Sequence, residues 1–343
     1  MGDAALQAAD QVWPPFVLVA GLLAIGTVVQ ADGLFAAVGA RIERIGGSSL
    51  RLLAALLGLE AVVTALLNLD TAAVFLTPVL IHAARQRGCD ERPFLYGALF
   101  VANTASILLP GSNLTNLIVL AHEHLSGADV ARAMALPWLA GLGVTVGTVA
   151  LWYRPHAGGA RCVALPPLRL GIGAISTVAA TAFILAFRNP ALPVLAVGVL
   201  AVGLRRLRPR LDLPVLGGLF VLAVACGVLG RSWEGPAHLL ARLGGITTAI
   251  VAGGAAVLVN NLPAASLLSA QRPPHPFPLL LGLNLGPNVA VTGSLAAYLW
   301  YRASRLTGAR PSLRQVTLLG MVVGPLTLAA ALAALFLTDP RAG

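Results

Sequence analysis

Four short clusters of amide, hydroxyl and carboxylate side chains interrupt otherwise apolar stretches of this chain. The first is Asn68-Leu69-Asp70-Thr71, at the middle of the apolar run 52–84. The second is Ala102-Asn103-Thr104-Ala105-Ser106 followed by Pro110-Gly111-Ser112-Asn113-Leu114-Thr115-Asn116, inside the run 93–120. The third is Asn260-Asn261-Leu262-Pro263, inside 244–270, and the fourth is Asn284-Leu285-Gly286-Pro287-Asn288 with Thr292-Gly293-Ser294, inside 277–301. A Pro-Gly followed by small polar side chains breaks a helix. The break leaves free N–H groups at one half-helix end and free carbonyls at the other, so it can hold a polar solute or anion together with a cation. The candidate binding residues are therefore Asn68, Asp70, Thr71, Asn103, Thr104, Ser106, Ser112, Asn113, Asn116, Asn260, Asn261, Asn284, Asn288, Thr292 and Ser294. Asn, Ser and Thr also knit membrane helices together, and any one cluster alone leaves that alternative open. Four clusters at matching places argue for a site.

Ionisable groups inside the apolar runs are few, and such groups mark ion and solute pathways. Asp70 sits at the first polar tip and Glu60 about two turns before it, so these two acids are the candidates for coupling. An isolated carboxylate in a low-dielectric site must bind a proton or sit against a cation; Asp70 could instead cap the helix that follows it. Glu60 could equally face an internal hydrogen-bond partner. Asp32 reads as an interfacial cap, and His122 and His124 as solvated loop residues. Cys89, Cys162 and Cys226 are too scattered for a disulfide framework or metal site and read as free thiols. No cofactor is expected beyond a coupling H+ or Na+. No paired acids, HExxH run or nucleophile elbow appear, so an enzyme has no support.

The elements that must position these residues follow from composition. Of 343 residues, 57% are hydrophobic and only 10% charged, less than half the usual charged share. With a mean hydropathy of +0.85, this describes an all-α polytopic membrane protein rather than a soluble domain or an outer-membrane barrel. Apolar runs fall at 14–31, 52–84, 93–120, 136–153, 170–187, 190–204, 213–230, 244–270, 277–301 and 315–337. The runs 52–84 and 244–270 are too short for two full crossings of about 20 residues each and carry polar tips, so they read as re-entrant hairpins. The other eight runs are full spans. The first follows an acidic leader with Asp3 and Asp10 and no basic n-region, so it should stay as a membrane helix rather than be cleaved.

All 23 basic residues are arginine, and they fall between the apolar runs, which makes the net charge a matter of topology rather than of nucleic-acid binding. With an external N-terminus and both hairpins, only Arg132, Arg188, Arg231, Arg242, Arg272 and Arg341 lie outside and the other 17 inside, as the positive-inside rule requires. Reading the second hairpin as a single span weakens the split to 15 against 8. Both termini are then external in an inner membrane. Residues 1–153 read span, hairpin, broken span, span; residues 213–343 repeat that order from the opposite side, with 154–212 supplying two linking spans. This is an inverted-topology repeat, in which the site lies where the interrupted elements of the two halves meet.

The run Asn68 to Pro78, the pair Asn103-Thr104 and Ser112-Asn113-Leu114-Thr115-Asn116, Asn260-Asn261-Leu262-Pro263, and Leu285-Gly286-Pro287 with Thr292-Gly293-Ser294 and Leu299-Trp300 resemble, in order and spacing, the arsenite permease branch of the ion transporter superfamily. The resemblance covers about residues 12–337. It implies an inner-membrane secondary transporter that moves a small inorganic solute, with arsenite or antimonite efflux in the best-known members and sodium-coupled carboxylate or sulfate transport in distant relatives. It also implies as partners a second copy of the chain and, as in arsenical pumps, a cytoplasmic ATPase. The chain departs from the family where Asn103, Asn284 and Asn288 stand in place of two acids and a lysine, which removes the obvious proton carriers and leaves Asp70 and Glu60. Two further N-terminal helices usual in the family precede no part of this sequence, so its subunit interface should differ.

Overall fold

The computed structural model describes residues 2–44, 48–154, 170–208 and 213–339, and within them every regular element is helical. Arg161, Arg169, Arg210, Arg341 and Cys162, used or noted in the sequence reading, lie outside the described residues.

Helix α1 (Gly2–Ala31) begins well before the apolar run, with Asp3 in its first turn and Pro14 and Pro15 inside it. The acidic leader is thus part of the helix, because a carboxylate at a helix N-terminus is favoured by the free N–H groups there. Gly33, at φ 73, turns the chain into a short helix, α2 (Leu34–Arg44). The first hairpin consists of α3 (Ser49–Leu66) and α4 (Leu69–Gln86). Each arm has 18 residues, or about 27 Å at 1.5 Å per residue. The arms are longer than the run 52–84 suggests because Ser48 caps α3 early, accepting from Arg51 N–H at 3.3 Å, and α4 continues through the polar Arg85-Gln86.

The first broken span is α5 (Arg92–Ala105), a single turn at Pro110–Ser112, and the seven-residue α6 (Leu114–Leu120). Then come α7 (Gly127–Tyr153), α8 (Ile172–Ala186), α9 (Ala191–Arg205), α10 (Leu213–Ser232) and a short α11 (Gly235–Ala241). The second hairpin is unequal: α12 (Gly245–Val259) is followed by α13 (Asn261–Leu268), only eight residues long. An eight-residue helix spans about 12 Å and cannot cross a bilayer core of about 30 Å. The second broken span is α14 (Pro276–Leu285), single turns at Gly286–Asn288 and Val291–Gly293, and α15 (Leu295–Leu306); α16 (Leu313–Thr338) closes the fold. Among the described residues, α1, α3, α7, α10 and α16 are long and apolar enough to cross a membrane.

Two buried cores hold these helices. One gathers Leu53, Leu57, Leu76, Phe94 and Phe100 of the first half, but also Trp300 from α15, whose indole N–H donates to the Leu95 carbonyl at 2.7 Å. The other gathers Leu262, Ala265, Leu279 and Leu283 of the second half, together with Ile118 from α6. Each half therefore sends the last piece of its broken span into the other's core, which fixes the two breaks side by side. Small residues permit the close approaches this needs. A Cβ at Gly286 would lie 2.6 Å from the Gly253 backbone, so α12 and the second break touch main chain to main chain.

Candidate functional site

The first break is built locally. Leu109 is extended, at φ −121, ahead of Pro110, and Asn113 caps α6 by accepting the Thr115 N–H at 3.1 Å. The carbonyls freed by the break, those of Ser106 and Leu109, accept from Asn116 Nδ2 at 2.7 and 3.0 Å. The Ser112 hydroxyl also binds there.

Across the interface stands Asn284, in the last turn of α14. Its Oδ1 accepts from Asn113 Nδ2 at 2.5 Å and from the Ser106 hydroxyl at 3.0 Å. Its Nδ2 donates to Asn116 Oδ1 and to the Leu280 carbonyl, both at 2.8 Å. Two donors and two acceptor positions exhaust a primary amide, so Asn284 is fully engaged. A second junction joins Asn103 Nδ2 to Asn288 Oδ1 at 3.0 Å, with Ser294 donating to Asn103 Oδ1 and Asn288 Nδ2 to the Thr104 hydroxyl, both at 3.3 Å. Thr104 continues to Thr145 and Thr145 to Thr327, each at 3.0 Å. Asn103, Thr104, Ser106, Asn113, Asn116, Asn284, Asn288 and Ser294 are all buried. Neutral amides and hydroxyls thus bridge the two breaks where the resemblance would place two acids and a base.

The hairpin tips meet the same region. Asp70, Asn113, Asn260, Asn261 and Ser294, with Leu219 and Leu262, line one cavity of about 20 Å³, which is room for one water-sized group. At the first tip Asn68, not Asp70, caps α4: its Oδ1 accepts the Thr71 N–H at 2.6 Å. Asp70 is left buried with one carboxylate oxygen unpartnered. At the second tip Asn260 takes φ 79, ψ 147, a conformation costing an L-residue about 1–3 kcal/mol. Its side chain holds the turn, accepting the Leu262 N–H at 3.3 Å and donating to the Thr292 carbonyl at 3.2 Å.

Other candidates fall elsewhere. Thr292 is exposed, its hydroxyl bound to the Val257 carbonyl at 3.1 Å, so it props the second hairpin rather than facing the amides. Thr71 is buried with its hydroxyl unpartnered, and Glu60 is wholly buried with neither oxygen partnered. Asp32 caps α8 rather than its own helix, accepting the Gly173 N–H at 2.8 Å and pairing with Arg205. His122 is not free in its loop: its Nε2 lies 3.0 Å from the Ser269 carbonyl.

Sequence reasoning missed Thr145 and Thr327, single hydroxyls in long apolar helices whose partners only tertiary packing reveals. It also missed Gln11 of α1. The Gln11 amide donates to the carbonyls of Ile118 and Ser269 at 3.0 and 2.9 Å and accepts from Arg231 at 2.6 Å. It thereby ties α1, α6, the end of the second hairpin and α10 at one end of the molecule. Arg272 and Glu123 pair at that end, at 2.9 Å.

Two comparisons with known proteins bear on the family of the chain. A family model described as citrate transporter matches residues 4–271. An arsenical pump membrane protein of Yersinia enterocolitica is 30% identical over 147 residues, 42% of this chain and 34% of that protein, so the match spans about a third of that relative's length. Since the citrate transporter match takes in well over half of the chain, the protein belongs to the citrate transporter family, a family of membrane transporters.

Proposed function

We propose that the chain is a secondary transporter of a small inorganic solute, arsenite or a related oxyanion, working by alternating access. The observation that carries this reading is the convergence of both hairpin tips and both helix breaks on one small cavity with an unpartnered acid beside it. In this reading α3–α4 and α12–α13 are re-entrant hairpins of two inverted repeats, the remaining runs make eight spans of an inner-membrane protein, and both termini are external. The Arg272–Glu123 pair supports it, since residue 272 shares an end with residue 123 only if the chain enters and leaves through α12–α13 on one side. The hairpins and breaks would shift relative to the long helices, opening the cavity to each side in turn.

Arsenite as As(OH)3 is neutral and asks for hydroxyl and amide partners, the kind that Asn113, Asn260, Asn261 and Ser294 would present once the cavity, now large enough for one water-sized group, opens and their present hydrogen bonds exchange. A second reading, sodium-coupled transport of a carboxylate or another inorganic anion, is favoured by the family description itself. Against it, no arginine lines the cavity, so a multiply charged anion would depend on helix N-termini alone. Vesicles reconstituted with the chain test both readings. Arsenite, citrate and sulfate fluxes would be measured with sodium and pH gradients imposed separately. Saturable arsenite flux supports the first reading, sodium-driven citrate or sulfate flux the second, and no saturable flux of any of the three defeats both.

A further inference from the structure

The first hairpin contains a row of polar groups that the cavity at the tips does not use. Glu60 and Thr64 lie four residues apart, hence on one face of α3 and about 6 Å apart along it; Asn68 follows at the joint. All three are wholly buried. Both Glu60 oxygens, the Thr64 hydroxyl and Asn68 Nδ2 have no partner. On α4, Thr77 is likewise buried with an unpartnered hydroxyl, and it shares the face of Asp70 seven residues earlier. Buried polar groups are normally bonded. Several unbonded ones within a single hairpin point to a ligand that comes and goes.

The elements packed on α3 are α2, α4, α5, α7 and the turn at Pro110–Ser112. Their titratable and charged groups are Arg41, Glu43 and Arg44 on α2, Asp70, His82 and Arg85 on α4, Arg92 and Tyr96 on α5, and Asp129, Arg132 and Tyr153 on α7; the turn has none. Arg85 pairs with Glu91 and Arg92 with Asp90. Asp129 pairs with Arg132, and the Tyr96 hydroxyl accepts the Ser312 N–H. Glu43 lies beside Arg87, whose guanidinium donates to the Glu43 carbonyl at 2.7 Å. None of these groups forms an ion pair or hydrogen bond with Glu60. Two carboxylate oxygens and one hydroxyl on a single helix face are too few to enclose a metal cation, which takes about six oxygens. A proton needs one.

Resting on the transporter reading above, we propose that Glu60 is a proton-binding station of the transport cycle, separate from the cavity at the tips. Its carboxyl takes a proton from water reaching the hairpin from one side of the membrane, forming an O–H bond, and in a later state of the cycle gives the same proton back to water on the other side, so no other reactant is consumed. Asp70 then remains free to hold the solute or its accompanying cation.

The test uses the full chain in phosphatidylcholine–phosphatidylglycerol vesicles. Infrared spectra taken across pH, with no solute present, should show protonated-carboxyl C=O absorption with a Glu60 component that is lost in Glu60→Gln and kept in Asp70→Asn. In the same vesicles, accumulation of solute driven by a pH gradient, divided by exchange between equal pools, should fall at least about tenfold in Glu60→Gln, the effect of about one pKa unit of lost proton coupling. An unchanged band, or an unchanged ratio, in Glu60→Gln overturns the proposal. If that variant fails to fold, Glu60→Asp keeps a titrating group on a shorter stem and should move the band's midpoint in pH; an unmoved midpoint overturns it equally. Because the band is read without solute, absence of arsenite flux in the parent chain would count against the transporter reading and leave the band to decide this one.

Discussion

The two hairpins occupy corresponding places in the chain, yet their chemistry is opposite. The first has equal arms of 18 residues, both acids of the apolar interior, and unpartnered polar atoms on Glu60, Thr64, Asn68, Asp70, Thr71 and Thr77. The second has arms of 15 and eight residues, no ionisable side chain in either helix, unpartnered buried atoms only on the hydroxyls of Thr248 and Ser266, and a turn at which Asn260 takes a positive φ. Its α12 is lined with Gly253, Ala252 and Ala256, which let it lie on α14 at main-chain distance. The difference teaches that two helical hairpins of one chain can be built on different chemistry. One hairpin retains groups whose charge state can change, while the other is shaped by close packing and a tight turn.

The all-or-none way to break this comparison is topological. Reporters fused at Arg87 and Arg208 should read cytoplasm, and reporters at His124 and Arg272 the outside. A cytoplasmic reading at Arg272 would make α12–α13 a single crossing and leave nothing to compare.

The next largest effect is expected at the junction between the halves. Asn284→Leu removes four hydrogen bonds and leaves Asn113 Nδ2 and Asn116 Oδ1 without a partner, while the Ser106 hydroxyl keeps its bond to the Asn103 carbonyl, at about 1–3 kcal/mol for each buried group left unpaired. Thermal unfolding should shift down by several degrees and flux should vanish. Asn261, unlike Asn284, lines the cavity at the tips, so Asn261→Leu should also abolish flux, but with the melting temperature nearly unchanged. Equal flux in parent and Asn261→Leu would make the second tip a packing element only.

A smaller effect separates strain from bonding at the second tip. Asn260→Ala keeps the unfavourable backbone angle and loses two side-chain bonds, so it should cost about 1–3 kcal/mol. Asn260→Gly relieves the angle while losing the same bonds and should cost less; the reverse order in a denaturation series would show that the angle is not strained. The smallest effect lies away from both hairpins. Ser126→Ala removes the capping box of α7, in which the Ser126 hydroxyl accepts the Asp129 N–H and the Asp129 carboxylate accepts the Ser126 N–H. The loss should be about 1 kcal/mol of stability, measured by thermal melting, with flux untouched.

Much of this was legible in the residues. Pro110-Gly111 announces the first break because no helix tolerates that pair with four polar neighbours. The Asn-Leu-Asp-Thr tip was visible as a polar interruption, although which side chain caps α4 was not: Asn and Asp cap equally well, and the choice of Asn68 depends on its extended backbone. The Thr104–Thr145–Thr327 chain and the Gln11 tie could not be read, since a single hydroxyl or amide carries no periodicity and its partner lies more than 30 residues away. Nor could the exchange of α6 and α15 between the two cores, because a broken span leaves the direction of its second piece to packing.

The central claim is that Asp70, freed from capping by Asn68 and set at the cavity between the tips, holds the solute or its accompanying cation, while the proton is bound at Glu60. It is tested most directly by arsenite accumulation in reconstituted vesicles under an imposed pH gradient, with Asp70→Asn beside the parent chain. That variant keeps the shape and hydrogen-bonding capacity of the side chain but fixes it neutral. The parent chain should accumulate arsenite and Asp70→Asn should lose at least about tenfold of that accumulation, the counterpart of about 1.4 kcal/mol. Equal accumulation by the two would contradict the account and return Asp70 to a structural role.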